Sequence, residues 1–366
     1  VIPLVDLKAQ DAEVRAEVEA GWKSVLDRTA FVLGDEVRQF EEDFAAFSGV
    51  GHCIGVANGT DALELALRAV GIGPGDEVLV PANTFIASAL AVARAGARPV
   101  LVDVDPGTQL IDPDDATRRV TPATKAILPV HLFGQMAPMH AVQRLADEHG
   151  LLVVEDAAQS QGAAQRGQSS GSFGIAAGTS FYPGKNLGAY GDAGAVLTSD
   201  DDVAAKVRAL RNYGSEVKYH HPETGFNSRL DTVQAVVLSA KLKRLARWNE
   251  QRRAAARRYD DLLADLEEVA RPVALDENEH VWHLYVVRVA ERDRVLRELN
   301  EAGVGAGVHY PVPVHRQGAF ASLGHGEGDF PATEAAAREI VSLPMYPHLT
   351  ESQQEQVVDA LRKAVR

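Results

Sequence analysis

The sequence predicts an α/β fold: a mostly parallel sheet covered by helices, followed by a smaller α+β unit. Three observations predict it. Apolar runs alternate with helix-like periodic stretches through the first two-thirds of the chain. Those runs are continuously apolar instead of alternating with polar residues, which marks strands buried on both faces. From Asp231 onward the texture changes to a long helical stretch, one further apolar run and a Gly-rich segment. A length of 366 residues suits two domains of about 100–200 residues each. The change of texture divides them into a large α/β domain, 1–245, and a small α+β domain, 246–366.

The elements follow in order. CIGVA (53–57) reads as a strand, and Asn58-Gly59-Thr60 turns it into the periodic stretch DALELALRAV. EVLV (77–80) precedes a helix within IASALAVARAG, and PVLVDV (99–104) is the next strand. KAILPVHLFG (125–134) leads to a helix near 138–149, and LLVVED (151–156) follows. After Asp231 a long helix, with a bend expected near Trp248, connects the two domains. VWHLYVVRVA (281–290), a helix near 291–302, the segment GVGAGVHYP (303–311) and a helix after Leu349 build the small domain. No repeat of solenoid period and no low-complexity linker interrupts this order.

Composition narrows the function. Against 37 Lys and Arg stand 51 Asp and Glu, a net charge of −14. That excludes a nucleic-acid-coating surface, which needs a basic footprint, while leaving room for a locally positive pocket. No apolar run reaches the ~18–20 residues of a membrane span. The single cysteine, Cys53, forms no intrachain disulfide. The first residues, VIPLVDLKAQ, carry no basic run, so no secretory leader is expected, and the absence of a first Met points to trimming. A cytoplasmic setting is expected.

Three positions stand out for chemistry. Lys185 lies in SFYPGKNLGAYGDAGA (180–195), among glycines and apolar residues, with no acid until Asp192. Such company lowers an amine's pKa and readies it for a Schiff base; a solvated loop lysine is the plain alternative. Asp156 ends a buried strand, at the sheet edge where open α/β folds bind ligands. It could hold a ring nitrogen protonated there, or simply cap a helix. Glu155 before it points to the opposite face. Asn58-Gly59-Thr60 opens a helix, either as an anion site or as an ordinary N-cap, with Asp61 a poor neighbour for phosphate unless it faces away. Other motifs fail. Gly71, Gly73 and Gly75 precede a strand, which is the wrong side for a dinucleotide fingerprint. Gly167–Gly171 has G-x-S-x-G spacing but no strand leading into it. His280 with His283, and His220 with His221, are poorly disposed as metal pairs, so no metal site is expected.

Taken together, IPLVDL, VANGTDAL, VPANTFIAS, VEDAAQSQGA, SFYPGKNLGAYGDAGA, GFNSRLD, HYPVPVH and SLPMYP resemble, in number and order, the DegT/DnrJ/EryC1/StrS sugar aminotransferases. The resemblance runs over nearly the whole chain. It implies the fold type I of pyridoxal 5′-phosphate (PLP) enzymes, similar to aspartate aminotransferase, and a homodimer with shared active sites. It implies that Lys185 holds PLP covalently and shuttles the proton, and that Asp156 pairs with the pyridinium nitrogen. By the same resemblance Gly59, Thr60 and Ser180 cradle the phosphate, and Phe85 stacks on the ring. Gln159 touches the phenolic side, and Asn227 reaches the phosphate of the neighbouring subunit. Lys218, Tyr219, Arg229, His309, Tyr310 and His315 fall on the substrate side. For Arg229 an ion pair with Asp231, and for Tyr310 a core position, are the structural alternatives.

Relatives with histidine in place of the lysine perform dehydration; Lys185 favours transamination. The implied reaction passes an amino group from L-glutamate, through pyridoxamine phosphate, to a nucleotide-linked (dTDP) ketosugar. The stretch after Lys185 resembles the branch acting on 3-keto-6-deoxyhexoses. A 4-keto sugar nucleotide, a cyclitol ketone, or a non-catalytic PLP-binding regulator are the alternatives.

Overall fold

The computed structural model describes residues 1–366. Two helices open the chain, α1 (Leu7–Arg28) and α2 (Asp35–Ser48). β1 (His52–Val56), α3 (Gly59–Ala69), β2 (Glu77–Pro81), α4 (Ile86–Ala95) and β3 (Arg98–Val102) follow. Then come α5 (Pro113–Arg118), β4 (Thr124–Ile127), α6 (Met139–His149) and β5 (Leu152–Asp156). A short ribbon, β6 (Ala164–Gln165) and β7 (Gln168–Ser169), leads to β8 (Ala176–Ser180), β9 (Gly194–Thr198) and α7 (Asp201–Leu210). α8 (Thr232–Leu262) runs unbroken past Trp248 into β10 (Val269–Ala270), β11 (Asn278–Glu279), β12 (Tyr285–Val289) and α9 (Arg292–Glu301). α10 (Pro331–Glu339), β13 (Ile340–Leu343) and α11 (Glu351–Ala364) end the chain.

The central sheet has the order β1-β9-β8-β5-β4-β2-β3. β9 runs antiparallel to both its neighbours, and the pairs from β8 to β3 are parallel. Burial explains the continuous apolar runs. Val78, Val80 and Val154 pack in one core layer with Leu63, Leu67 and Val92 of α3 and α4. The residues between them, Leu79 and Val153, pack in another with Val142 and Leu145 of α6. Successive side chains on a strand leave by opposite faces, so a sheet covered on both faces needs apolar residues at every position. The small sheet, β10-β12-β13, packs with Ala255 and Tyr259 of α8, Leu299 of α9 and Val357 of α11, and Ile2 joins that core from the other end of the chain. The division expected at 245/246 thus falls within α8.

Some expectations shift. The strand expected over 125–134 stops at Ile127, ahead of Pro129, which has no N–H to give a ladder. The strand expected from Val281 begins only at Tyr285, because Trp282 takes a left-handed conformation (φ 46°). α8 continues past Trp248 as one helix of 31 residues.

Candidate active site

The large-domain side of the site leaves the carboxyl edge of the central sheet. Gly59 and Thr60 follow β1, Phe85 follows β2, Asp156 ends β5, and Ser180 ends β8, five residues ahead of Lys185. α3 sits tightly on β8, for a Cβ on Gly178 would lie 2.7 Å from Leu63 Cδ2. The same closeness brings the start of α3 against the end of β8, where a Cβ on Gly59 would lie 2.6 Å from Ser180 Cβ. Asn58 caps α3: its Oδ1 accepts from the Asp61 N–H at 2.8 Å, and its carbonyl accepts from Ala62. The N–H groups of Gly59 and Thr60 are left without a protein acceptor. Asp61 does face away, its carboxylate occupied by Arg94 and by the Ser228 hydroxyl.

The two acids at the end of β5 part company. Glu155, fully buried, accepts from the backbone N–H groups of Gly171, Phe173 and Gly174 at 2.8–2.9 Å and from His131 Nε2 at 2.8 Å. His131 Nδ1 accepts from the Ala137 N–H, which fixes the proton on Nε2. Asp156 faces the site. Ser88 Oγ donates to its Oδ2 at 2.7 Å and the Ala158 N–H to its Oδ1 at 3.1 Å. No Lys, Arg or His forms an ion pair with it. Burial pushes its carboxyl above the usual range, against the pull of Ser88, Ala158 and the Lys185 charge. Ser88 escaped the sequence reading; one helical turn after Phe85, its position on α4 was the available signal.

Lys185 is half-buried, and loss of solvent brings its amine down to about 8 against the opposing attraction of Asp156. The small domain supplies the far wall. Gln159 Nε2 donates to the Tyr310 hydroxyl at 3.2 Å, while its Oε1 accepts from the Phe133 N–H at 2.6 Å. The Tyr310 ring lies 5.2 Å from that of the exposed Phe85, so Tyr310 is not a core residue. His309 Nδ1 pairs with Ser342 Oγ at 2.8 Å, and burial together with the nearby Lys185 charge lowers the imidazole to about 4.

The remaining residues lie elsewhere on this chain. Lys218, Tyr219, Tyr213 and His221 line a surface cleft of about 590 Å³. Lys218 is exposed and lies over the Tyr219 ring, with no carboxylate partner. Arg229 forms no pair with Asp231; it donates to Asn212 Oδ1 at 3.1 Å and stands over Tyr213. Asn227 is exposed, in a bridge with Asn212. His315 is buried, hydrogen-bonded to Glu334 at 3.1 Å and packed on Phe330. No group of three His, Cys, Asp or Glu side chains gathers to hold a metal, and no helix is long and apolar enough to cross a membrane.

The chain is similar to known proteins over nearly its whole length. Residues 12–362 match the DegT/DnrJ/EryC1/StrS aminotransferase family. The chain is 48% identical over its whole length to a Geobacillus stearothermophilus protein named pleiotropic regulatory protein, covering 99% of it. It is also 48% identical, over 99% of its length and 96% of the relative, to the Streptomyces venezuelae dTDP-3-amino-3,4,6-trideoxy-alpha-D-glucose transaminase. The crystal structure of S. venezuelae DesV in complex with a ketimine intermediate superposes with a TM-score of 0.97 at 48% identity, covering 100% of this chain and 99% of that one.

The residues fit PLP. A buried carboxylate with no cationic partner suits a protonated ring nitrogen. Two free N–H groups at a helix start beside the Ser180 hydroxyl suit a phosphate. An amine lowered to about 8 suits a carbonyl partner.

Proposed function

As the chain belongs to the DegT/DnrJ/EryC1/StrS aminotransferase family, which is PLP-dependent, we propose that it transfers an amino group from L-glutamate to C3 of a nucleotide-linked 3-keto-6-deoxyhexose, with dTDP as the nucleotide. One observation carries the reading: Asp156, a buried acid without an ion pair, and Lys185, on the turn after β8, both stand at the carboxyl edge of the sheet, where burial lowers the lysine amine. The choice of C3 rests on the relatives named for 3-amino sugars.

Gly59, Thr60 and Ser180 would hold the phosphate, Phe85 and Gln159 the ring, and Asp156 its nitrogen. When bound, PLP supplies the electron sink that carries the amino group between donor and acceptor. Lys185 is the proton carrier: its Nζ, neutral in a useful fraction near pH 7, takes a proton from the donor's α-carbon and returns one to the sugar carbon. Asp156, as a carboxylate, keeps the ring nitrogen protonated. His309 and Tyr310, together with the turn that His315 anchors through Glu334, form the substrate side.

The unpaired Lys218, with Tyr219, Arg229 and Asn227, would serve a second copy's site. A homodimer is also supported by the exposed apolar residues Phe31, Val32, Tyr213 and Val217. Cations there would offset a net charge of −14 where a diphosphate must bind. Mixing Lys185→Ala with Asn227→Ala protomers tests the sharing: hybrid dimers regain one intact site, and no regained activity would place both residues in one protomer's site. The buried, lone Cys53 accords with a cytoplasmic setting.

The name of the Geobacillus relative favours a second reading, a regulator without turnover. The complete set of amine, acid and anion site weighs against it, and a change in cofactor absorbance on adding L-glutamate decides. The reaction itself is tested by single turnover. Protein charged with pyridoxamine phosphate is given a 3-keto or a 4-keto 6-deoxyhexose nucleotide. Return of the PLP absorbance with the 3-keto sugar supports the proposal; return only with the 4-keto sugar overturns the C3 assignment.

A further inference from the structure

A second lysine is more deeply buried than Lys185. Lys241, on α8, is only 2% exposed and has no carboxylate partner of its own. Its Nζ donates to the Gly188 carbonyl at 2.6 Å and lies 4.6 Å from the centre of the Tyr190 ring. The Tyr190 hydroxyl donates to Asp11 of α1, which provides the nearest negative charge. Burying an ammonium without an ion pair is costly, so its retention calls for a role.

The Gly188 carbonyl closes the turn that carries Lys185. That turn is tight: the Lys185 N–H donates to Tyr182 O and the Ala189 N–H to Phe181 O, both at 2.8 Å. A Cβ on Gly188 would lie 2.3 Å from Pro183 O. Two turns further along α8, Asn249 holds the other side. Its Oδ1 accepts from Asn186 Nδ2 at 3.0 Å, and Asn186, next to Lys185, also donates to Val281 O at 2.9 Å. Asn249 Nδ2 in turn donates to Gln161 O at 2.9 Å. Both grips come from one rigid helix, and both fall within three residues of Lys185.

We infer that Lys241 and Asn249 are positioning residues, a two-point clamp by which α8 fixes the turn bearing Lys185. Neither touches the reacting atoms. They set where the amine stands, and a displacement of about 1 Å in such a group costs up to about 100-fold in rate. The inference rests on the proposed role of Lys185, but its structural half is tested without it.

The test uses the full chain, first free of PLP and then loaded. Hydrogen exchange is followed by mass spectrometry in Lys241→Met, Asn249→Leu and Lys241→Arg. In the PLP-free protein, Lys241→Met removes the donor and should speed exchange in the peptide 181–190 about tenfold or more. Peptides of β5 and β8 should stay unchanged, and Asn249→Leu should do the same. Lys241→Arg, which keeps charge and donors, should restore protection. In the loaded enzyme kcat should fall about 10–100-fold with KM within about threefold. Unchanged exchange in 181–190, or an equal rise across the sheet, overturns the clamp. If Lys241→Met does not fold, Asn249→Leu decides by the same peptide. Borohydride trapping at Lys185 in the unaltered protein is read separately. Its failure removes the function reading and leaves the clamp to be judged on exchange alone.

Discussion

Replacing Asp156 by Asn should move two observables in opposite directions. Asp156 is the one group whose charge holds the Lys185 amine up, while burial holds it down. Asparagine keeps the shape but carries no charge, and its single carbonyl oxygen can accept from only one of Ser88 and Ala158. The Lys185 pKa should therefore drop from about 8 by about one unit, the low end for loss of a nearby opposite charge. At pH 7 the neutral amine is about a tenth of the population at a pKa of about 8 and about half at ~7. In the PLP-free protein, acylation of Lys185 at pH 7 should thus become about fivefold faster. The assay is competitive labelling with a small amine reagent across pH 6–10, with peptide mapping to separate Lys185 from Lys241. In the loaded enzyme the same substitution removes the partner of the ring nitrogen, and the half-reaction with L-glutamate should slow by about 100-fold or more. A labelling pKa that stays or rises refutes the electrostatic coupling of the two residues. An unchanged half-reaction removes Asp156 from its role.

Lys185→Ala should abolish turnover while the fold and the affinity for PLP phosphate remain; normal turnover refutes the assignment. Ser88→Ala deletes a hydrogen bond to a carboxylate, about 1.5–3 kcal/mol, and lets the Asp156 pKa rise further. The carboxylate is then lost at a higher pH on acidification, so the acid limb of the half-reaction profile should move upward. Gly59→Ala places a Cβ 2.6 Å from Ser180 Cβ, an overpacking of about 1–3 kcal/mol, and should weaken PLP retention about tenfold in equilibrium dialysis. Glu155→Gln puts an amide donor against two of the four donors, either the Phe173 and Gly174 N–H groups or the Gly171 N–H and His131. It should cost about 3–5 kcal/mol, read as a lower midpoint in urea.

The sequence was most legible where one residue type must serve one geometry. The doubly buried strands β2, β3, β4 and β5 announce themselves because both faces demand apolar side chains. The place of Asp156 at the end of such a strand was legible; the glycines around Lys185 left a loop lysine open, and the family resemblance singled it out. β8 (AAGTS) was not, since its small residues exist to let α3 sit on the sheet at Gly178, and smallness carries no strand signal. α1 and α2 went unread: α1 spreads its buried Val14, Val18 and Val25 thinly along a polar helix facing α8. Ser88, Asn249 and Lys241 were illegible because their meaning lies in what they touch. Each is an ordinary helix residue until the fold sets it against Asp156, Asn186 or Gly188.

Glu155 and Asp156 show how a fold makes two roles from one charge. They are adjacent on β5, so the pleat sends them to opposite faces. One face offers Glu155 three backbone donors and a neutral His131, a full set for a carboxylate. The other offers Asp156 one hydroxyl and one N–H, and withholds a cation. A buried carboxylate so left is poorly stabilised as an anion, and that deficit can be met by a cation that arrives with a ligand. A protein group placed there as a permanent partner would satisfy Asp156 and spend the interaction before the ligand binds. The deficit at Asp156 and the lowered amine of Lys185 therefore have one origin, burial of two opposite charges that do not form a hydrogen bond with each other. A molecule with a protonatable ring and a carbonyl engages both residues at once.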